Sequence, residues 1–119
     1  MSAYHEPESE LQQQDRDFYR ALNSLKEEIE AVDWYHQRIA TTQDSTLKTL
    51  LEHNRNEEIE HACMVIEWLR RNMPVWDEQL RTYLFTTLPI TEVEEAGTME
   101  GEDSESSLPS GGLNIGSLK

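Results

Sequence analysis

The sequence predicts an all-α protein: a two-helix antiparallel hairpin and a short third helix, with hairpins pairing into a four-helix bundle. Three observations carry this. Apolar residues recur at helical spacing on both sides of a single break at Thr41-Thr42-Gln43. No stretch alternates long enough to argue for a strand. A lone hairpin leaves one apolar side open, and a second copy is the natural cover.

The first helix carries Leu11, Phe18, Leu22, Leu25, Ile29, Val32 and Ile39 at spacings of 7, 4, 3, 4, 3 and 7, one continuous stripe. Pro7 suits its first turn, and Glu8 and Glu10 are favourable at the positive end of the helix dipole. Beyond the break, Asp44 or Ser45 can cap a second helix. Its stripe runs Leu47, Leu51, Asn54, Glu58, His61, Val65 and Leu69. Arg70 and Arg71 suit its negative end, and Pro74 stops it. Val75, Trp76, Leu80, Tyr83 and Leu84 then form the apolar set of a short helix ending near Thr86, before Pro89.

Composition narrows the function. The chain has 119 residues, enough for one ordinary domain. Its 24 acidic and 10 basic residues give a net charge of -14, which repels polyphosphate and argues against nucleic-acid binding. A cationic ligand is the natural partner. No window approaches the roughly 18 apolar residues of a membrane span. Residues 1–7 show neither the basic start nor the apolar run of a secretory signal. Cys63 is alone, so no internal disulfide forms, as in a reducing cytosol. Residues 91–119 hold 7 acidic residues and 1 basic one, with clustered Gly and Ser. Such a composition buries too little apolar surface to fold, so 89–112 is expected to be a disordered acidic linker after a helical domain at 8–88.

The second stripe stops being apolar at Asn54, Glu58 and His61. On the first helix, Glu28 shares the side of Leu25 and Val32. A buried carboxylate without a partner is costly, so these positions need an explanation. An isolated Glu-x-x-His is most often a wet bundle edge with a satisfied histidine. Here, however, Glu58 and His61 share one helical face, and Glu28 faces them from the other helix. Two copies of this set supply four carboxylates and two imidazoles, the ligands of di-iron bundles of the ferritin type. One chain therefore carries half a site. Oxygen and imidazole donors suit iron or manganese; soft thiolate ligation is absent.

Three blocks carry a family resemblance. They are Glu27-Glu28-Ile29-Glu30-Ala31-Val32-Asp33-Trp34-Tyr35, His53-Asn54-Arg55-Asn56-Glu57-Glu58-Ile59-Glu60-His61 with Glu67-Trp68-Leu69-Arg70-Arg71, and Leu80-Arg81-Thr82-Tyr83-Leu84-Phe85. In order and spacing they resemble the encapsulated ferritins over about 20–90. The resemblance implies a homodimer with an iron-oxidising centre across its interface, dimers joined in a decameric ring, and Glu28, Glu58 and His61 as iron ligands. It implies that Glu27 and Glu30 form an outer site drawing in Fe(II); from the residues alone they could be two solvated helix acids. Trp34 and Tyr35 match an aromatic pair near the metal or the subunit contacts.

The final residues, Leu113-Asn114-Ile115-Gly116-Ser117-Leu118-Lys119, resemble the peptide by which cargo proteins dock inside encapsulin shells. Leu113, Ile115 and Leu118 could fill apolar pockets. The resulting expectation is a ferroxidase of the prokaryotic cytoplasm, held inside an encapsulin nanocompartment and supplying Fe(III) for mineralisation there. Two other functions fit the residues. One is a di-iron bundle that removes peroxide or oxygen; the other is a non-enzymatic acidic metal-binding adaptor.

Overall fold

The computed structural model describes residues 4–103; their regular elements are all helices, with no strand among them. Four α-helices follow a 3-10 turn at Glu8–Glu10: α1, Gln13–Thr41; α2, Ser45–Asn72; α3, Pro74–Tyr83; and α4, Ile90–Asp103. The described residues divide into two units, one ending at Leu69 and the other beginning at Arg70. No helix among the described residues is long and apolar enough to cross a membrane.

The first unit is the hairpin. Its opening differs from the expectation of a helix running on from Pro7. The chain makes only the 3-10 turn there, then extends through Leu11 and Gln12 before α1 begins. Two polar contacts fix that break: the Arg16 guanidinium donates to the Glu8 carbonyl at 2.7 Å, and the Gln12 N–H donates to the Asp15 carboxylate at 3.1 Å. At the other end of α1 the Thr42 N–H still reaches the Arg38 carbonyl at 2.9 Å. The chain then turns, and Asp44 starts α2. Its Oδ1 accepts the backbone N–H groups of Thr46 and Leu47, both at 2.9 Å, and the Thr46 hydroxyl at 2.6 Å. These donors would otherwise be unsatisfied at a helix start. They also hold the Asp44 carboxyl below the usual carboxylate range, the Thr46 side chain first.

The register is antiparallel. Phe18 meets Trp68 edge-on at 6.1 Å, Glu28 lies beside His61, and His36 beside Arg55, so α2 numbers fall as α1 numbers rise. At ~1.5 Å per residue the two helices run for about 42 Å each. Leu25, Ile39, Ala62 and Leu69 are buried, and Leu69 is fully enclosed. The rest of the stripe is only partly covered: Phe18, Val32, Leu51 and Val65 are half-buried, whereas Leu22, Ile29 and Leu47 stay exposed. Two helices can cover only one flank of each other, so part of an otherwise well-formed apolar face meets solvent.

In the second unit, Pro74 occupies the first turn of α3, where its missing N–H costs nothing. Asp77 gathers the guanidinium groups of Arg70 and Arg81, at 2.5 Å and 2.9 Å, tying α3 to the last turn of α2. The two arginines, Arg70 foremost, hold the Asp77 carboxyl below its usual range. The helix stops at Tyr83, three residues before the expected Thr86, and Phe85 takes a positive φ of 63° in the connection that follows. The linker expected over 89–112 is corrected in its first part. Ile90–Asp103 is a helix, its start fixed by the Glu92 and Val93 N–H groups donating to the Pro89 carbonyl at 2.9 and 3.1 Å. It packs on α3 with Val93 buried, and Gly97 comes close to the Thr82 methyl. The short Ile90–Val93 spacing after a proline outweighs the acidic, glycine-rich composition. The expected remainder of the linker, and the peptide 113–119, lie outside the described residues.

Candidate metal centre

The hairpin brings Glu28, Glu58 and His61 together. Leu25 anchors the preceding turn of α1, and Ala62, next to His61, is buried in α2, so both ligand-bearing segments are held by the core. Donor atoms of the three side chains all lie within 4.8 Å of one another. His61 Nδ1 is 3.3 Å from Glu28 Oε2 and 3.7 Å from Glu58 Oε2. Both carboxylates are 25% exposed and the imidazole 48%, so the cluster is partly shielded and open on one side.

Its electrostatics are those of too many acids in too little space. The Glu28 carboxyl is pushed above its ordinary value, first by sharing a proton with Glu58, then by burial and by the charge of Glu58; His61 pulls the other way. As a carboxylate, Glu28 has its Oε2 enclosed by protein and accepts no hydrogen bond. A shielded anionic oxygen that accepts no hydrogen bond is rare, because its desolvation is poorly compensated; here the His61 ring stands beside it at 3.3 Å. A divalent cation between these side chains would remove that deficit. Two carboxylates and an imidazole make a donor set fit for iron or manganese, with positions left open for further ligands.

The other site residues expected from sequence stand outside this cluster. Glu27 is exposed on α1 and accepts the Asn23 amide at 3.3 Å. Glu30 is exposed on the next turn. Trp34 is 51% exposed, and Tyr35 is half-buried with the Arg38 guanidinium 5.5 Å above its ring. Sequence reasoning gave no role to His36, yet Arg55 Nη1 lies 3.3 Å from its Nδ1 across the hairpin. Only the antiparallel register could have revealed that pair, since the two residues are 19 positions apart.

The chain is similar to known proteins over most of its length. A family model described as EncFtn-like matches residues 3–87. A ferritin-like protein of Thermotoga maritima is 67% identical over 105 residues, covering 88% of this chain and 92% of that one. An encapsulated ferritin-like protein of Rhodospirillum rubrum is 49% identical over 121 residues, covering 97% and 86% respectively. A crystal structure of a Nitrosomonas europaea protein superposes with a TM-score of 0.72 at 52% identity, covering 75% of this chain and 98% of that one.

Proposed function

The chain belongs to the EncFtn-like family, and from that premise we propose that it is a ferroxidase whose Glu28, Glu58 and His61 hold ferrous ions for oxidation by dioxygen. The observation that carries this is the enclosed Oε2 of Glu28, which accepts no hydrogen bond and stands beside the Glu58 carboxylate and 3.3 Å from His61 Nδ1. Each ferrous ion is substrate and gives up one electron to dioxygen. The two carboxylates bind and offset the charge of the ion, and their anionic oxygens favour the ferric product further. His61 supplies a neutral donor that keeps the cluster from becoming purely anionic.

One chain offers three donors, so the working centre takes two copies related by a twofold axis. Together they give four carboxylates and two imidazoles around an iron pair. The surface beside the ligands supports this. Ile29 and Ile59, the residues next to Glu28 and Glu58, are 55% and 43% exposed, apolar area that a second hairpin would cover. Dimers would join further into a decameric ring. Glu27 and Glu30, exposed on α1, would attract Fe(II) toward the centre, and Trp34 and Tyr35 would line the approach or a subunit contact.

That the Rhodospirillum rubrum relative is an encapsulated ferritin-like protein supports confinement in a shell. We place the protein inside an encapsulin compartment of a prokaryotic cytoplasm, held through 113–119, with the ferric product mineralising in the lumen. The deciding experiment is anaerobic loading with Fe(II) followed by exposure to air. The parent should develop ferric absorbance rapidly, and Glu58→Ala and His61→Ala should lose most of that rate. Unchanged rates in both variants would remove these residues from the reaction. Deletion of 113–119 should abolish retention in the shell and leave oxidation intact.

A further inference from the structure

The Arg55 side chain is unusual in a chain with 24 acidic residues against 10 basic ones. Half-buried on α2, it forms no ion pair with a carboxylate among the described residues. Glu52 and Glu58 nevertheless stand three positions before and after it, the spacing at which an arginine and a glutamate of one helix reach each other. All three guanidinium nitrogens are committed elsewhere. Nε and Nη2 donate to Asn56 Oδ1 at 3.2 and 3.1 Å, and Nη1 donates to His36 Nδ1 at 3.3 Å. A guanidinium has no acceptor and keeps its charge, so the imidazole nitrogen facing it must be the acceptor.

We propose that His36 is a positioning residue: it holds the Arg55 cation away from Glu58 and so keeps that carboxylate available to a ferrous ion. The inference rests on the reading of Glu58 as a metal ligand. Without the His36 acceptor, Nη1 loses its partner across the hairpin, and the nearest strong acceptors on its own helix are the carboxylates one turn away. A charge-assisted pair between Arg55 and Glu58 would occupy the oxygens the metal needs and cancel part of the negative charge that attracts it. Asn56 cannot prevent this alone, because it engages the opposite edge of the guanidinium.

The test is calorimetric titration of the full-length protein with Fe(II) under nitrogen, at a pH near neutrality. His36→Ala should bind about threefold more weakly, the scale of one partly exposed Arg–Glu pair within a helix. His36→Gln, whose amide oxygen can accept from Arg55, should bind as the parent does. Adding Arg55→Gln to His36→Ala should restore the affinity, since no cation is then left to compete. A His36→Ala variant that binds like the parent would overturn the proposal. So would a double variant as weak as His36→Ala, which would reduce His36 to a packing role. Glu58→Ala run beside them separates the two levels: unaltered Fe(II) binding in that variant would refute the ligand assignment itself, whatever His36 does.

Discussion

Replacing Glu28 with Gln should stabilise the metal-free protein near neutral pH while removing its response to ferrous ion. The donor atoms of Glu28 and Glu58 lie within 4.8 Å; at that separation and an effective dielectric of ~20, two unit charges repel by about 3.5 kcal/mol. Both side chains are 25% exposed, so water screens much of this. About 1 kcal/mol should survive. The sign follows from the raised pKa of Glu28. A carboxyl whose folded-state pKa lies above its unfolded one favours folding most when protonated. Its contribution is complete below the ordinary 4.5 and is lost as pH rises through the folded-state value. Glutamine mimics the protonated form at every pH. Thermal unfolding followed by circular dichroism in the presence of a chelator should therefore place Glu28→Gln about 4 °C above the parent near pH 7.5. The gap should close near pH ~4, where the parent carboxyl is itself protonated. On addition of Fe(II) without oxygen, the parent should gain stability and the variant should not. A variant that melts below the parent at neutral pH, or a gap indifferent to pH, would refute the account of Glu28 as a strained ligand.

Three further outcomes test the scaffold. Gly97→Ala should strengthen α4 by about 1 kcal/mol of helix propensity, because the added Cβ would meet the Thr82 methyl at 3.6 Å, an ordinary contact; a drop in melting temperature would mean that α4 packs more tightly on α3 than this. Leu69→Ala empties the most enclosed side chain of the hairpin and should cost about 2–5 kcal/mol in denaturant unfolding, whereas a negligible loss would contradict its burial. Asp44→Ala removes the acceptor at the start of α2, so amide exchange at Thr46 and Leu47 should quicken, with Asp44→Ser restoring much of the protection. Since the Asp44 carboxyl sits below its ordinary range, its stabilising contribution is present above the unfolded pKa and lost as pH falls through the folded-state value; exchange that ignores acid would dispute the cap.

The hairpin was legible because a 3.6-residue period sums over many positions: both long helices and the break expected at 41–43 follow from local chemistry, and of the two caps expected, Asp44 and Ser45, the structure uses Asp44. The Glu28–Glu58–His61 cluster was legible for a related reason, as polar residues interrupting an apolar stripe at matching depths on two helices. What escaped depended on few residues or on register. The α4 helix rests on Ile90, Val93 and the Pro89 carbonyl, too short a signal to outweigh an acidic, glycine-rich composition. The break at Leu11 and Gln12 depends on Arg16 reaching back to the Glu8 carbonyl, a contact without a period. The His36–Arg55 contact needs the facing helix to be aligned before either residue acquires meaning.

Two imbalances in the hairpin have a common physical remedy under the proposed function. Its apolar face is incomplete: Leu22, Ile29, Ile59 and Met64 remain exposed although their helices are otherwise in register. Its donor cluster is over-acidic, with an enclosed carboxylate oxygen that accepts no hydrogen bond. A second hairpin alone would cover the face but set four carboxylates against one another, which worsens the electrostatics. Metal alone would neutralise the acids but leave the isoleucines wet. Only dimer and metal together satisfy both, so the two equilibria must be linked: whatever ferrous ion adds to dimer affinity, dimerisation must add to iron affinity. Dimer fraction measured by native mass spectrometry should then rise with Fe(II) in the parent and stay flat in Glu28→Gln, and a parent whose dimer fraction ignores the metal would separate the two imbalances again.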